Sequence, residues 1–567
     1  MQIIKSFIKL FVFICPLSAA AQSTYLPQGD KGYQLVDRLE IKQGTNTDLN
    51  YSTLKPLSRR FIVRQAEYLD SVRKAADSAG VEGSGHPKLT RIDEYNLNSF
   101  YMNNTEWVTG SKENFTSRKP ILKTFYKNKA NLVEINSKDF FLAINPMLNL
   151  QAGKTNGSDA LMFVNSRGVS ARGMIGKKIG FYTSITDNQE RGPLFFRQRV
   201  ADYKAVPGNG FYKSFKATGQ DYFDGRGYIT FNAAKYIDIQ FGYDKNFIGN
   251  GNRSLFLSDW GNSYLFLKLN TKIWKFNYQN IFMELMPQFG RAGDTLLDKK
   301  YSAMHHLSIN LTKWLNVGLF EGIVFGRKNH FEFQYLNPII FYRHIEGTIG
   351  SPDNALAGLD FKANVAHSFQ FYGQFLLDEF KLDQIKANTG WWANKWGLQL
   401  GLKYIDAFKI PNLDLQIESN TVRPFTYSHY NMVANYTHYN QPLAHPLGSN
   451  FQELIGILRY QPAPRWYVNA KGIYYKQGLD SLNGRNVGFN IFRDNVSRMG
   501  DYGYAQGGGR AASCFNAFFQ VSYEVRENLY LDLSSQFRRY TVDKNTTNAS
   551  LLTAGVRWNM ARREYDF

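Results

Sequence analysis

The sequence predicts an all-β fold, a closed antiparallel transmembrane β-barrel of about 18 strands with a small α-helical N-terminal or periplasmic element. Three observations predict it. The chain begins with an export-type segment, many of its segments alternate apolar and polar residues, and aromatic residues make up 16% of it, including the terminal Phe567. Such a barrel shows lipid an apolar belt, keeps its inner face polar and carries aromatic girdles at both interfaces.

Residues 1–21 are expected to be a secretory signal peptide. Lys5 and Lys9 give a positive start, the apolar run 7–17 follows, and small residues precede an expected cleavage after Ala21. The alternative is an N-terminal membrane anchor, but a spanning helix needs about 20 apolar residues. Export predicts localisation in the outer membrane. It also leaves Cys514 as the single cysteine, so an intramolecular disulfide is excluded.

Residues 22–135 are expected to form a partly helical N-terminal region. Pro56 precedes apolar residues at helical spacing over 57–79, and Gly80 is a typical helix stop. A second short helix is expected over 92–107. We expect these helices to occupy the periplasmic mouth or the lumen as a plug.

Residues 136–567 are expected to form the outer-membrane β-barrel, because their apolar pattern has a period of two. Leu531 and Leu533 alternate with Tyr530 and Asp532, for example. The polar positions expected to face the lumen are Asp238, Gln240, Lys268, Gln370, Gln374, Gln399 and Lys403. About 430 residues at roughly 24 per strand and connection give about 18 strands. A soluble β-sandwich is the alternative, since its strands also alternate.

Clusters of Gly, Pro and polar residues predict the loops. The predicted loops are 205–210, 287–298, 347–358, 420–449 and 499–510. The longest of them is rich in aromatic residues and histidine, and loops of this length are usually functional or mobile. We expect it on the extracellular side or folded into the barrel mouth.

No catalytic or metal-binding motif predicts an enzyme. The sequence contains no P-loop, HExxH, G-x-S-x-G or paired-cysteine knuckle, so we expect no cofactor. The histidines considered as metal ligands are His305, His306, His429, His438 and His445. Their spacings match no standard zinc pattern, so no metal is expected. A nucleophile and a base brought together only by the fold remain an alternative.

The formal net charge of +20 suggests three kinds of partner: nucleic acid, an anionic lipid surface or an acidic polysaccharide. Export and the scatter of Lys and Arg along the chain argue against nucleic acid. Membrane lipid, lipopolysaccharide and an acidic surface polysaccharide are therefore the expected partners. A positively charged protein also suits a negatively charged lipopolysaccharide layer, and this explains the charge equally well. The sequence identifies no protein partner.

Three segments, 242–259, 337–354 and 441–453, combine turn residues with Arg, Asp, Asn or His. In these segments and in the predicted loop 420–449, the candidate glycan-binding or loop-ordering residues are Arg253, Asp259, Arg343, Asp353, Asn354, Tyr427, His429, Tyr430 and His445. Arg253 is expected to pair with Asp259. Aromatic rings stack on sugars, while Arg, Asn and Asp bond hydroxyls or carboxylates, so a polar, aromatic-walled surface suits a glycan.

The runs 248–259, 350–354 and 441–450 resemble the Wzi-type capsule assembly proteins, and within that family the branch of gliding bacteria that includes the gliding-motility protein RemB. The resemblance covers about residues 115–567. It implies a largely occluded outer-membrane barrel of about 18 strands. In the capsule branch such a barrel holds secreted polysaccharide on the cell surface. In the gliding branch its role is less defined and relates to motility and surface adhesion. It implies no catalytic residue.

We therefore expect a non-enzymatic surface barrel that anchors or organises exported capsular polysaccharide or exopolysaccharide, in a capsule or a gliding pathway. The alternative is an outer-membrane channel for small solutes, which would conduct ions across a planar bilayer. A third hypothesis is an outer-membrane enzyme such as a lipase.

Overall fold

The computed structural model describes residues 23–45, 47–78, 88–156, 158–287, 296–338, 341–350 and 353–567. The expected signal peptide and its cleavage position lie outside these ranges. No helix in the described ranges is long and apolar enough to cross a membrane.

Eighteen strands of the described residues close into one antiparallel barrel, which confirms the predicted fold class. They are β1 (Phe140–Thr155), β2 (Ser158–Ile175), β3 (Ile179–Arg191), β4 (Gly219–Ala234), β5 (Ile237–Asp244), β6 (Tyr264–Ile273), β7 (Phe276–Leu285), β8 (Lys300–Asn310), β9 (Leu315–Phe325), β10 (Asn354–Val365), β11 (Phe369–Glu379), β12 (Lys395–Tyr404), β13 (Leu413–Val422), β14 (Phe451–Ala463), β15 (Trp466–Leu479), β16 (Arg510–Arg526), β17 (Leu529–Val542) and β18 (Asn545–Trp558). Each pairs with the next, and β18 pairs with β1. Closure leaves no sheet edge unpaired in lipid.

The six helices of the described chain lie before and between these strands. They are α1 (Gly32–Gln43), α2 (Arg59–Ser78), α3 (Arg91–Met102), α4 (Leu194–Tyr203), α5 (Tyr342–Ile349) and α6 (Leu382–Ala387). The helices expected over 57–79 and 92–107 correspond to α2 and α3, but α3 ends at Met102, and residues 103–107, which were expected to continue it, form turns. Thr90 and Asp93 form a capping box that fixes the start of α3.

The period-two pattern places side chains on the two barrel faces as expected. Leu531 and Leu533 are exposed on the outer wall, while Asp532 between them is buried. The inward side chains bond one another and the segments inside the barrel. Gln374, for instance, donates to the Ile248 carbonyl at 2.9 Å.

The barrel has a turn end and a loop end. Connections such as 235–236 and 464–465 are short, whereas the longest connections all lie at the opposite end. These are 192–218, 245–263, 326–353, 380–394, 423–450 and 480–509. In outer-membrane barrels the short turns face the periplasm and the longer loops face outward.

Two predicted loop boundaries are wrong. The segment 354–358 was expected in a loop, but β10 begins at Asn354 and pairs with β9 from Val324 onward. The loop expected from residue 420 begins after Val422, where β13 ends. β13 continues through Asn420, whose buried side chain lies on the polar inward face. β10 instead runs through the mostly apolar stretch 354–358, whose small residues predicted a turn.

The N-terminal helices share a core of their own and sit at the turn end. Leu35, Leu39, Ile62 and Val63 pack together in it. Ion pairs join the helices to the barrel, including one between Lys31 and Glu524 at 2.7 Å.

The lumen holds two further segments of the chain. The loop 245–263 folds inward, where Phe247–Ile248 pairs with Leu54–Lys55. Residues 559–567 leave β18 after Trp558 and turn back into the barrel. The terminal aromatic residue therefore lies beyond the last strand, which ends at Trp558. Phe567 instead packs against the aromatic residues Phe195 and Trp260 of two loops.

Candidate functional site

Arg253 and Asp259 lie in the inward loop 245–263. Arg253 is 4% exposed and pairs with Asp566 at 3.4 Å and with Glu453 at 3.6 Å. The pairing expected between Arg253 and Asp259 is wrong. Asp566 of the C-terminal segment supplies the carboxylate instead.

Most of the other candidate residues are buried and hold loops together. The Tyr427 hydroxyl donates to the Leu255 carbonyl at 2.8 Å, and the Asn354 amide donates to the Ala434 carbonyl at 2.9 Å. Nε2 of His445 lies 2.7 Å from a Glu453 carboxylate oxygen. Asp353 similarly accepts from Arg327 at 2.6 Å. Their role in glycan binding stays a prediction.

The histidines of the loop 423–450 are held in their neutral form. Burial lowers the pKa of His438 to about 4. Burial also lowers the pKa of His429, and that of His445 in spite of the Glu453 carboxylate beside it. Within the described ranges, no group of three His, Cys, Asp or Glu residues is placed to hold a metal ion. Each ring has a polar contact of its own: His429 accepts from the Asn431 backbone at 3.2 Å, and Nε2 of His438 lies 3.0 Å from the Ser263 carbonyl.

Arg343 and Tyr430 are exposed, but they lie on different parts of the molecule. The Arg343 side chain is 77% exposed on α5, which packs against the outer wall of the barrel through Tyr342 and His305. Tyr430 is 47% exposed on the loop 423–450. The nine candidate residues therefore do not form one site.

The loops 380–394, 423–450 and 480–509 form a common cover at the loop end, which we call the loop cap. Asp501 accepts from the Trp392 backbone at 2.9 Å, and the Tyr504 backbone donates to Gly390 at 2.9 Å. Gly390 has a φ of 70°, and a Cβ there would lie 2.9 Å from the Tyr504 nitrogen. Glycine therefore allows the first and third loops to meet.

A group of four aromatic side chains and one arginine lies on the loop cap. We call it the aromatic ridge and define it as Trp391, Trp392, Tyr430, Arg498 and Tyr502. The guanidinium of Arg498 lies 3.9 Å from the ring centre of Trp392. Arg498 also donates to the Asn495 carbonyl at 2.9 Å. The Asn495 backbone in turn donates to His429, the residue before Tyr430.

The ridge has the chemistry of a glycan-binding surface. Half-buried and exposed rings offer stacking faces, and Arg498 and its partner Asp501, which pair at 2.7 Å, offer hydrogen bonds to hydroxyl groups. Sequence reasoning missed four of the five ridge residues. The signal available was the Gly390-Trp391-Trp392 run, in which two large rings follow a glycine outside any alternating segment.

Strand closure, polar lining and inward loops together define the class of this protein: a β-barrel of the outer-membrane type whose long loops fold over and into the barrel. Within that class, the chain belongs to the family of the capsule assembly protein Wzi. The model of that family matches residues 165–548, a range that contains the loop cap.

One solved structure shares the fold. Wzi of Escherichia coli, described as an outer membrane protein involved in group 1 capsule assembly and as a carbohydrate-binding β-barrel, is 13% identical. The match covers 96% of this chain and 100% of that one, with a TM-score of 0.55. OprD of Pseudomonas aeruginosa is 12% identical over 74% of this chain and 93% of its own, with a TM-score of 0.41. No curated protein sequence matched this chain.

Proposed function

We propose that this protein anchors or organises an exported acidic polysaccharide at the cell surface, that the loop cap is its binding face, and that it catalyses no reaction. The aromatic ridge is the observation that supports this most strongly. It combines rings for stacking with Arg498, at the end of the barrel that faces outward in outer-membrane proteins.

Two further observations support the proposal. The formal charge of +20 favours an acidic polymer. Carbohydrate binding is also the description given to the Escherichia coli protein of the same fold. Because ring stacking is individually weak, useful affinity would come from many contacts along one repeating chain.

The test is retention of the producing strain's own surface polysaccharide by immobilised protein. Trp391→Ala and Tyr430→Ala each remove one ring, worth about 0.5–1.5 kcal/mol, and should raise the Kd about two- to tenfold. Raising the salt concentration should also weaken retention, because it screens exposed charge.

Trp274→Ala is the matched control, because Trp274 is 77% exposed but lies in a turn at the opposite end. It should leave retention unchanged. Equal losses from all three substitutions, or no retention by the unaltered protein at low salt, would contradict the proposal.

The branch of the family is a separate proposal. The runs that resemble the gliding-bacterial branch support a role in motility and surface adhesion alongside capsule assembly. Deletion of the gene should then reduce both colony spreading and cell-bound polysaccharide. Loss of polysaccharide with normal spreading would restrict the role to the capsule.

We propose that the signal peptide is removed after Ala21, that residues 22–135 close the periplasmic mouth, and that lipopolysaccharide surrounds the barrel. The mass of the purified protein tests the first of these. The channel alternative is tested by conductance, as described below.

A further inference from the structure

Five turns at the turn end repeat one arrangement, in which a cation stands next to an aromatic ring. The pairs lie at 235–236, 274–275, 313–314, 408–409 and 465–466, and we call them together the turn ring. Both side chains of every pair are exposed. The Lys235 ammonium lies 5.0 Å from the ring centre of Tyr236, and the Lys275 ammonium lies 5.4 Å from that of Trp274. Because separate turns carry the pairs, they are spread along the rim of the barrel.

The aromatic side chains of the turn ring lie on the outside of the barrel wall. Trp466 is opposite Tyr523 in the sheet, and their ring centres are 4.8 Å apart. Tyr523 is in turn opposite Leu531, which is exposed on the outer wall. The Trp274 ring similarly lies 5.4 Å from that of Phe276, an outward residue of β7. Since opposite residues of neighbouring strands share a face, these rings continue the apolar belt to the rim.

A short hairpin adds basic side chains at the same rim. We call residues 115–129 the basic hairpin, because antiparallel bridges join its two arms. The Tyr126 ring stacks on that of Trp558 at 5.8 Å, and Trp558 lies opposite Leu529 on the outer face of the barrel. The hairpin therefore packs against the outside of the barrel at its turn end. Its tip presents Leu122, which is 80% exposed, beside the exposed cations Arg118, Lys119, Lys123 and Lys127.

The positive charge of this rim is not neutralised by the protein itself. In the described chain, no carboxylate lies within ion-pair distance of the cations of the turn ring or of these four hairpin cations, whereas Asp406 and Glu527 of the barrel turns pair with cations of the N-terminal region. Asp139 is the remaining carboxylate of the described turns, and the adjacent Lys138 balances its charge. The rim therefore offers unmatched cations to whatever surrounds it.

We propose that the turn ring and the basic hairpin bind anionic glycerophospholipid, such as phosphatidylglycerol, in the leaflet at the turn end. The cations contact the lipid phosphates, while the rings and Leu122 lie among the first carbons of the acyl chains. Aromatic rings favour the headgroup level of a membrane, and each Lys or Arg near an anionic leaflet strengthens attachment. This surface goes beyond the proposed function and does not depend on the loop cap.

Lipid binding by the full purified protein tests the proposal. Protein in a neutral detergent is titrated with phosphatidylglycerol or with zwitterionic phosphatidylcholine of the same acyl chains, and bound lipid is counted by native mass spectrometry. Phosphatidylglycerol should bind at least about tenfold more tightly, which two charges at about fivefold each would supply. Raising the salt concentration from about 0.1 M to about 1 M should remove most of this preference, because the Debye length falls from about 10 Å to about 3 Å.

Two fourfold variants separate the turn ring from the net charge of the protein. The first removes four cations of the turn ring and should lose the preference: Lys235→Gln, Lys275→Gln, Lys313→Gln and Lys409→Gln. The second removes four exposed lysines at the loop end and should keep it: Lys154→Gln, Lys328→Gln, Lys386→Gln and Lys544→Gln. Equal losses in the two variants would overturn the proposal.

A matched pair of single substitutions tests the basic hairpin. Leu122→Asp places a negative charge at the hairpin tip and should weaken phosphatidylglycerol binding about fivefold or more. Leu296→Asp is the control, because Leu296 is 82% exposed at the loop end, and it should leave binding unchanged. If the fourfold turn variant does not fold, the salt dependence of the unaltered protein still decides. Equal binding of the two lipids, as expected if the rim instead meets an acidic protein, would contradict the proposal.

Discussion

At the scale of single residues, Arg38 is the main link between the N-terminal helices and the barrel. It is 3% exposed and pairs with Asp93 of α3 at 2.8 Å, with Asp406 of a barrel turn at 2.9 Å and with Asp414 of β13. Removing one member of such a buried group leaves uncompensated charge, which is far more costly than losing an exposed pair.

Arg38→Met should therefore destabilise the docked helices by about 3–5 kcal/mol. The loss should appear as earlier unfolding of the helical circular dichroism signal in denaturant. Lys74→Met is the control, because its pair with Asp70 is on the helix surface and the Lys74 side chain is 66% exposed. Such exposed pairs are worth about 0.5 kcal/mol or less. Equal effects of the two substitutions would contradict the role of Arg38.

Asp93, Asp406 and Asp37, which lie where the helices meet the barrel, predict a response to acid. Burial would raise the pKa of Asp93 and Asp406, but Arg38 and Lys42 hold both below the usual range, and Lys403 does so for Asp37. Groups with lowered pKa contribute stability above their unfolded pKa of about 4 and lose it as the pH falls further. The helices should stay protected from protease between pH 5 and pH 8 and become cleavable below about pH 4. Release with a midpoint above pH 6 would be inconsistent with these pairs.

At the scale of elements, the C-terminal segment 559–567 joins strand β18 to the loops of the opposite end. Arg563 pairs with Glu190 of β3 at 2.9 Å, and the Arg199 guanidinium of α4 lies 4.9 Å from the Phe567 ring centre. The segment thus orders the loop 192–218 from inside the barrel.

Phe567→Ala should loosen that loop, because burial of the ring is lost and a cavity remains, at a cost of about 3–5 kcal/mol. Faster proteolysis within 192–218, with β18 still protected from hydrogen exchange, is the expected result. Phe341→Ala, which removes a 74% exposed ring, is the control. It should change neither the rate of proteolysis within 192–218 nor the protection of β18 from hydrogen exchange. Unfolding of the whole barrel in the first variant would show that the segment supports the strands instead.

At the scale of the whole molecule, the lumen is occupied by chain from three parts of the sequence. The helices meet the turn end, the loop 245–263 crosses the interior and the segment 559–567 returns inside it. An 18-stranded barrel without such contents would be wide enough to conduct.

The full protein should therefore give no steady unit conductance in planar bilayers. An empty barrel of similar strand number, measured in parallel, is the positive control. Regular conductance steps from the purified protein would favour the channel alternative over an anchoring role. Silence would leave polysaccharide retention as the function to measure.

Much of the fold could be predicted from the sequence because its signals are local. The alternation around Leu531 and Asp532 is a property of neighbouring residues, and it decides which side chain faces lipid. Pro56 and the spacing after it likewise placed α2 to within a few residues. Helix α1 was missed, because its buried Arg38, Glu40 and Lys42 hide the apolar face that a pattern would show.

The sequence by itself determined the class of protein, the approximate number of strands and the inner and outer faces of the strands that alternate clearly. These properties follow from a period of two and from the length of the chain. Only the tertiary structure decided where Phe567 lies, what Arg253 pairs with and how the aromatic ridge is assembled. Those contacts join residues hundreds of positions apart, such as Arg253 and Asp566. They exist only once the barrel has closed and brought its loops, helices and C-terminal segment into one lumen.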